Sequence, residues 1–267
     1  MRRILFPTDF SELAHGAFDY TVAMARDTGA SIEVLHAYHG NLDLNQPLPV
    51  QPAESIYDIK KDVIEDFTQR AHGVAVDYEL EVGFAVDEIV ERSQEPDVDL
   101  IVMGTHRNHG FWERLFGSVS SDVTQRADCP VLLVPQGQVY SGINTIVFGV
   151  DDDERYTTAA TKLARFAAAV RADIYVVHVD DERDEEDLRA IEAQFKRILP
   201  DTVKYETVIS ESVEQGLEDY AHLHGADIIV LASHKRNFLE RIFGKSTTKE
   251  MALDADFPLM VIREQER

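Results

Sequence analysis

Short apolar runs alternate with longer amphipathic segments along this chain, and the alternation predicts strands separated by helices. Residues 100–103, Leu-Ile-Val-Met, have the length and character of a strand that is buried on both faces of a sheet. Strands that alternate with helices indicate right-handed βαβ units and a parallel sheet. The first half is therefore predicted to form strands at 3–6, 31–37, 75–82, 100–103 and 131–134 and helices at 11–28, 55–71, 86–93 and 118–126.

The second half of the chain repeats the first. Residues 4–9, ILFPTD, correspond to residues 146–151, IVFGVD, and the segment 99–121 corresponds to 227–248, which also starts with Asp-(Leu/Ile)-Ile-Val. The second copy is 14 residues shorter, a difference that falls on the proline-containing segment 40–54. Its pattern predicts strands at 145–150, 173–179, 204–209, 228–231 and 259–262 and helices at 157–170, 185–198, 213–224 and 246–253.

The repeat divides the chain into two predicted domains, at residues 1–138 and 143–267. The chain, at 267 residues, is long enough for two domains of about 135 residues that each bury a core of their own. Gly137, Ser141 and Gly142 loosen the chain between them. We expect an α/β protein with a parallel sheet in each half and the two halves packed as an intramolecular pair.

The chain is strongly acidic, with a formal net charge of −23 at pH 7. Such a surface repels the phosphates of nucleic acid at ordinary salt, so nucleic acid is excluded from the expected partners. The charge is typical of a halophilic, salt-adapted organism, although the acidic residues at 180–187 also suit a solvated helix start. No apolar run approaches the roughly 20 residues that a membrane span requires, and we therefore expect a cytoplasmic protein that does not contact the membrane.

A candidate phosphate site follows the predicted strand at 100–103. Gly104 ends this strand, a polar loop comes next, and Gly117 precedes hydroxyl residues at the predicted start of a helix. Free backbone N–H groups and the helix dipole both favour an anion at such a start. Glycines in loops of this kind often serve only as turns, and the recurrence of the segment in the second half is what favours a functional interpretation.

A specific family resemblance rests on four stretches. They are ILFPTDFSELA at 4–14, LHAY at 35–38, MGTH with RLFGSVS within 103–120, and CPVLLV at 129–134. These stretches resemble the universal stress protein family, and the two halves resemble a tandem pair of its domains. The resemblance implies two flavodoxin-like (adenine nucleotide α-hydrolase-like) domains, each with a five-stranded parallel sheet flanked by helices. It also implies that the last strands of the two halves contact each other.

Nucleotide-binding members of this family carry the motif G-x2-G-x9-G-(S/T), and the first half keeps its spacing with an arginine at the second position. The resemblance implies ATP or AMP as the ligand, with or without Mg²⁺, and Asp9 as the acceptor of hydrogen bonds from ribose hydroxyls. The implied site consists of Pro7, Thr8, Asp9, Ala37, Met103, Gly104, Arg107, Gly117, Ser118, Val119 and Ser120.

Arg107 stands where the motif has glycine, and two outcomes are open. If the backbone there must approach phosphate closely or take a positive φ, a side chain costs about 1 kcal/mol or more and obstructs the site. If the loop accommodates it, the guanidinium is a bidentate phosphate clamp. The second half departs further from the motif and is interpreted as degenerate. Its candidate site residues are Asp151, Val179, Ala232, Lys235 and Ser246.

Four first-half histidines have spacings that suit a metal site: His36, His39, His106 and His109. His36 and His106 recur as His178 and His234, whereas the other two do not recur. Strand-end histidines that fix loops by hydrogen bonds explain this recurrence more simply, so no metal site is expected.

Together these observations predict a stress-response protein of tandem type that binds an adenine nucleotide mainly in its first half. No catalytic residue is identified, and any ATP hydrolysis is expected to be slow because no general base stands out beside the phosphate cradle. The alternative is a nucleotide-free regulatory or interaction scaffold. An enzyme of the related nucleotide α-hydrolase class would need a catalytic motif that the sequence lacks, and a homodimer is left open as a further assembly.

Overall fold

The computed structural model describes residues 1–38, 53–106, 118–150, 156–180, 185–233 and 257–264, and of residues 53–56, 118 and 185–188 it describes the backbone alone. The strands in these ranges are β1 (Arg3–Pro7), β2 (Ser31–Tyr38), β3 (Val76–Val82), β4 (Val98–Thr105), β5 (Val131–Pro135), β6 (Thr145–Val150), β7 (Asp173–Asp180), β8 (Lys204–Ile209), β9 (Ile228–Ser233) and β10 (Leu259–Arg263). The helices are α1 (Glu12–Thr28), α2 (Ala53–Thr68), α3 (Ala85–Arg92), α4 (Ser118–Arg126), α5 (Thr157–Val170), α6 (Glu185–Phe195) and α7 (Val213–His224).

All ten strands form one continuous sheet in the order β3-β2-β1-β4-β5-β10-β9-β6-β7-β8. The strands within each half are parallel, as predicted, and the halves join where β5 pairs with β10 in antiparallel fashion. Leu133 lies opposite Leu259, and Val131 lies opposite Val261. The expected contact between the last strands of the two halves is therefore confirmed, and it joins two five-stranded sheets into one.

Each side of the sheet carries its own apolar core. Phe6 of β1 packs against the ring of Phe18 on α1, with the ring centroids 5.1 Å apart. Leu5, the neighbouring residue, belongs instead to the core on the other side with Ile89 of α3 and Val123 of α4. Successive side chains of a strand point to opposite faces, and both faces are covered here because the sheet is parallel within each half. This explains why the strands have nearly continuous apolar sequences.

Most predicted elements agree with the structure to within two or three residues at each end, and the differences have local causes. The helix predicted at 185–198 ends at Phe195, where the N–H of Ile198 bonds to the Phe195 carbonyl in a tighter turn shortly before Pro200. The strand predicted at 100–103 extends to Thr105, so Gly104 lies inside β4 and not in the loop after it. The helix predicted at 246–253 lies outside the described residues.

Two repeated aspartates tie the starts of neighbouring strands together. Asp99 Oδ2 accepts a hydrogen bond from the backbone N–H of Arg2 at 2.5 Å. Asp227 Oδ2 accepts the equivalent bond from Asn144 at 2.6 Å. The first residue of the repeated Asp-(Leu/Ile)-Ile-Val sequence therefore has a structural role at the end of the sheet opposite the strand carboxyl ends.

Candidate functional site

A cavity of about 320 Å³ lies at the carboxyl ends of β1, β2 and β4. The order of strands along the sheet reverses between β1 and β4, which is the switch point where open α/β sheets bind ligands. The cavity brings together eight of the eleven first-half residues expected in the site: Pro7, Thr8, Asp9, Ala37, Met103, Gly104, Val119 and Ser120. Arg107 and Gly117 lie outside the described residues, and Ser118 is described only as the first backbone position of α4.

The turn between β1 and α1 fixes the position of Asp9. Asp9 Oδ1 accepts a hydrogen bond from the backbone N–H of Ser11 at 2.9 Å. Thr8 Oγ1 accepts one from the N–H of Phe10 at 3.0 Å, and Ser11 caps α1 by accepting from the N–H of Ala14 at 3.2 Å. Phe10 takes a left-handed conformation with φ 61°, which is unfavourable for a residue with a side chain. Short polar side chains therefore hold a strained turn that places a carboxylate beside the cavity.

Asp9 is an ionised carboxylate near neutral pH. Burial by itself would raise its pKa, but hydrogen bonds from the hydroxyl and the backbone N–H of Ser11 outweigh burial and hold the pKa below its ordinary value of 3.8. His36 acts in the same direction when its ring is protonated. A carboxylate in this state accepts hydrogen bonds and does not donate them, which suits a ligand that presents hydroxyl groups.

His36 holds the loop that follows β1 in place. Its Nδ1 lies 2.8 Å from the carbonyl oxygen of Thr8, and its ring packs against Phe10 with centroids 4.4 Å apart. Because a carbonyl oxygen only accepts, Nδ1 carries the hydrogen in this pair. Burial lowers the pKa of His36 below its ordinary value of 6.5, assisted by Lys60 and opposed by the Thr8 carbonyl and the Asp9 carboxylate. The ring is therefore neutral near pH 7.

The second half repeats this arrangement, with His178 Nδ1 3.2 Å from the carbonyl oxygen of Val150. His36 and His178 are both buried. The interpretation of the recurring strand-end histidines as residues that fix loops is confirmed for this pair. His106 is exposed and lines the cavity, whereas His39, His109 and His234 lie outside the described residues.

Gly104 lets β4 pack closely against α1. A Cβ at this position would lie 3.0 Å from Leu13 Cγ and 3.1 Å from the Leu13 carbonyl oxygen. It would also lie 3.2 Å from Ala17 Cβ. Leu13 and Gly104 both line the cavity, so this close contact forms part of its wall. The glycine expected to serve phosphate thus has a packing role that the sequence motif alone does not reveal.

The first turn of α4 forms another wall of the cavity. Val119 and Ser120 line it, and Ser120 is buried. The first four N–H groups of a helix have no partner within the helix, and the dipole concentrates positive charge at that end. A nine-residue helix directed at the cavity in this way favours an anionic group beside Ser120.

In the described part of the second half, the side chain of Val179 occupies part of the corresponding region. Val179 stands where the first half has Ala37, and a Cβ at Gly216 of α7 would lie only 2.7 Å from Val179 Cγ1. The methyl groups of Val179 therefore lie directly against the backbone of α7. Ala232, which replaces Gly104, is fully buried. The other second-half candidates lie outside the described residues: Asp151, Lys235 and Ser246.

Nine further residues line the cavity, and some of them were within reach of sequence reasoning. Ser11, Leu13 and Ala14 follow Asp9 directly, and a helix start after a strand-end aspartate is a signal that they share its site. Ala85 and Ile89 come from α3, and no local pattern indicates that this helix reaches the switch point. The full additional set is Ser11, Leu13, Ala14, Leu35, His36, Ala85, Ile89, Thr105 and His106.

The part of the chain that the structure describes contains neither a metal cluster nor a membrane-spanning helix. In that part, no group of three or more His, Cys, Asp or Glu side chains is placed to hold a metal ion. None of the described helices has the length and apolar character needed to cross a membrane.

Comparison with known protein families assigns the chain to one of them. The universal stress protein family model matches it twice, over residues 1–135 and 142–263. The chain belongs to the universal stress protein family. Two matches in succession fit a tandem two-domain member, and the family and fold predicted from the sequence are confirmed.

Two universal stress proteins of known sequence each resemble about half of this chain. One from Methanocaldococcus jannaschii is 29% identical over 143 residues, which is 50% of this chain and 81% of that protein. Another from the same organism is 28% identical over 157 residues, 50% of this chain and 94% of that protein. A crystal structure of a universal stress protein from Archaeoglobus fulgidus aligns over 98% of both chains with a TM-score of 0.72 and 20% identity. That likeness extends the shared fold over the whole chain.

Proposed function

We propose that this universal stress protein binds an adenine nucleotide, ATP or AMP, in the first of its two domains, 1–138 and 143–267, as part of a stress response. The observation that carries the proposal is the cavity of about 320 Å³ at the switch point, with Asp9 on one side and the start of α4 on another. Its volume lies at the lower end of the range of small-molecule sites, about 300–1,000 Å³. A nucleotide carries both hydroxyl groups, which suit Asp9, and phosphate, which suits the start of α4.

Each wall of the cavity suits one part of a nucleotide. The ionised carboxylate of Asp9 accepts hydrogen bonds from the ribose hydroxyls. Ala37, Met103 and Ile89 offer apolar surface to the base. The start of α4, with Ser120, offers N–H groups to phosphate. Mg²⁺, where it is bound, would come with the phosphates and take most of its ligands from them and from water.

We propose binding and, at most, slow hydrolysis of ATP. Three titratable side chains line the cavity: Asp9, His36 and His106. Asp9 already accepts from Ser11, and the buried His36 donates Nδ1–H to Thr8. A general base must reach the proton of an attacking water with a free acceptor and a pKa near the working pH. The lowered pKa of Asp9 makes it a weak base for that purpose.

We propose that the second half serves mainly as a structural partner of the first half and only secondarily as a ligand site. Val179, in the place of Ala37, packs against α7 at Gly216 and occupies space that the first half leaves open. The proposed single site implies one nucleotide for each chain.

Isothermal titration calorimetry with ATP, ADP, AMP and adenosine, at low and high salt, tests this function. Wild type should bind with one site per chain, and Asp9→Asn should weaken all four ligands because an amide cannot replace both acceptor oxygens. Asp19→Asn is the matched control, since Asp19 is an exposed residue of α1 that forms an ion pair with Arg70. Folded wild type that binds none of the four ligands would contradict the proposal and favour the nucleotide-free scaffold.

Two further variants address the residues of the motif. Ser118→Ala should weaken ATP more than adenosine, because only ATP carries phosphate to the start of α4. Arg107→Gly distinguishes the two roles open to Arg107: tighter ATP binding indicates that the side chain obstructs the site, and weaker binding indicates that it clamps phosphate.

A further inference from the structure

The short helix α4 connects the candidate phosphate site to the second half of the chain. Its first turn lines the cavity, and its nine residues span only about 13 Å at 1.5 Å per residue. The helix packs against β10, a strand of the second half. A displacement at one end of so short a rigid element is transmitted to the other end.

Two cations of the second half hold the end of α4 and the segment that follows it. Arg263 Nη1 donates to the carbonyl oxygen of Arg126, the last residue of α4, at 2.9 Å. The same nitrogen lies 3.4 Å from Asp128 Oδ1, and Lys162 Nζ donates to the carbonyl oxygen of Asp128. The last carbonyl groups of a helix lack partners within it and carry partial negative charge, so cations are favourable there.

The two cations are themselves fixed by the second half. Glu264, next to Arg263, accepts from the N–H groups of Thr158 and Ala159 at 2.8 Å each, at the start of α5. Lys162 lies on the same helix and is partly buried. The end of β10 and the start of α5 are therefore connected, and they present Arg263 and Lys162 to α4 from one rigid unit.

The first half carries no cation at the two positions equivalent to Arg263 and Lys162. By the repeat, Arg263 corresponds to Pro135 and Lys162 corresponds to Tyr20. The first half thus presents a proline and a tyrosine where the second half presents two cations. The asymmetry agrees with the sequence, because the half that receives the cations is also the half that keeps the motif glycines Gly104 and Gly117.

We propose that Arg263 and Lys162 are positioning residues through which the second half sets the phosphate cradle at the start of α4. This inference rests on the proposed nucleotide site and gives the second half a role in it. With the carbonyl end of α4 held, the N–H groups at the other end are oriented before phosphate arrives, which lowers the cost of ordering them.

Phosphate-dependent binding provides the test, in the full chain. Wild type and the double variant Arg263→Gln with Lys162→Met are titrated with ATP and with adenosine. The role of the two cations predicts that ATP binds on the order of tenfold more weakly to the variant while adenosine binds as before. Lys196→Gln is the control, since Lys196 is a second-half cation that is 70% exposed and should leave both affinities unchanged.

Two measurements separate positioning from other effects. A direct attraction between the cations and phosphate over this distance is screened at high salt, because the Debye length is about 8 Å at 0.15 M. A loss of ATP affinity that persists at high salt therefore reflects the position of α4. Hydrogen exchange of the α4 amides should also accelerate in the variant. If the double variant does not fold, Arg263→Lys takes its place. It keeps the charge but loses the contacts of the guanidinium, and it should bind ATP more weakly than wild type while adenosine binds as before.

The possible results divide cleanly. Equal weakening of ATP and adenosine binding would show that the two cations are general structural residues. Unchanged ATP affinity would show that they do not position α4 for phosphate. Both results would overturn the positioning role and leave the proposed nucleotide site intact. Wild type that binds neither ligand would instead contradict the nucleotide site itself, and the positioning role would fall with it.

Discussion

His36 Nδ1 lies 2.8 Å from the carbonyl oxygen of Thr8. The bond connects the end of β2 to the residue that precedes Asp9, and the same connection recurs between His178 and Val150 in the second half. The recurrence indicates a role in the fold, and the neighbouring carboxylate connects that role to the proposed ligand site of the first half.

Replacing His36 with alanine should lower the free energy of unfolding by about 1–3 kcal/mol, because it leaves the buried Thr8 carbonyl without its donor. His36→Asn retains a donor near the position of Nδ1 and should recover part of the loss. Urea denaturation measures both, with His106→Ala as an exposed control. Equal stability of the alanine and asparagine variants would show that the hydrogen bond is not what His36 contributes.

The stability of the protein should depend on pH through His36. Its pKa in the folded protein lies below the ordinary 6.5, so the unfolded chain binds more protons between the two values. The stability that the neutral His36 ring contributes is therefore fully present above about pH 6.5, and this contribution is lost as the pH falls through the pKa that His36 has in the folded protein. The difference between wild type and His36→Asn in chemical denaturation, measured from pH 5 to 8, should decrease as the pH falls. A constant difference would contradict a buried neutral ring.

Gly104→Ala should destabilise the protein by about 1–3 kcal/mol even without ligand, because its Cβ would press against Leu13 and Ala17. Gly16→Ala provides a matched control on α1, since nothing lies within 4 Å of a Cβ there. That control should be stabilised by about 0.5–1 kcal/mol through helix propensity. If both alanine variants unfold at the same denaturant concentration, the packing account of Gly104 is wrong.

Ala37→Val should fill the cavity of the first half as Val179 does in the second. We expect nucleotide affinity to fall at least about tenfold, while the melting temperature changes little because the two added methyl groups meet open space. Val179→Ala is the reciprocal change; it should cost about 1–3 kcal/mol of stability and leave nucleotide affinity as it is. Calorimetry and thermal melting of both variants give the comparison. Unchanged affinity in Ala37→Val would place the ligand elsewhere.

Much of the fold was readable from the sequence because the information is local and repeated. Strands buried on both faces leave continuous apolar runs such as residues 100–103, and the two copies of each motif support each other. Helix α4 at 118–126 and strand β6 at 145–150 have the predicted bounds. The family resemblance supplied the contact between the last strands, which no local pattern specifies.

The parts that sequence reasoning missed depend on contacts between distant segments. Gly104 reads as a loop residue until α1 is seen against it, and Ile89 reaches the cavity only because α3 packs against β2 and α4. The pairing of Arg263 with the end of α4 joins residues that are 137 positions apart. Such relationships arise from tertiary packing, and a single sequence carries no periodic signal for them.

The central claim is that one nucleotide binds in the first half, and the repeat supplies its most direct test. Asp9 and Asp151 are equivalent positions of the two halves. Calorimetric titration of AMP into Asp9→Asn and Asp151→Asn should show binding reduced by about tenfold or more in the first variant and preserved, with one site per chain, in the second. Binding that survives Asp9→Asn but is lost in Asp151→Asn would contradict the account and assign the ligand to the second half.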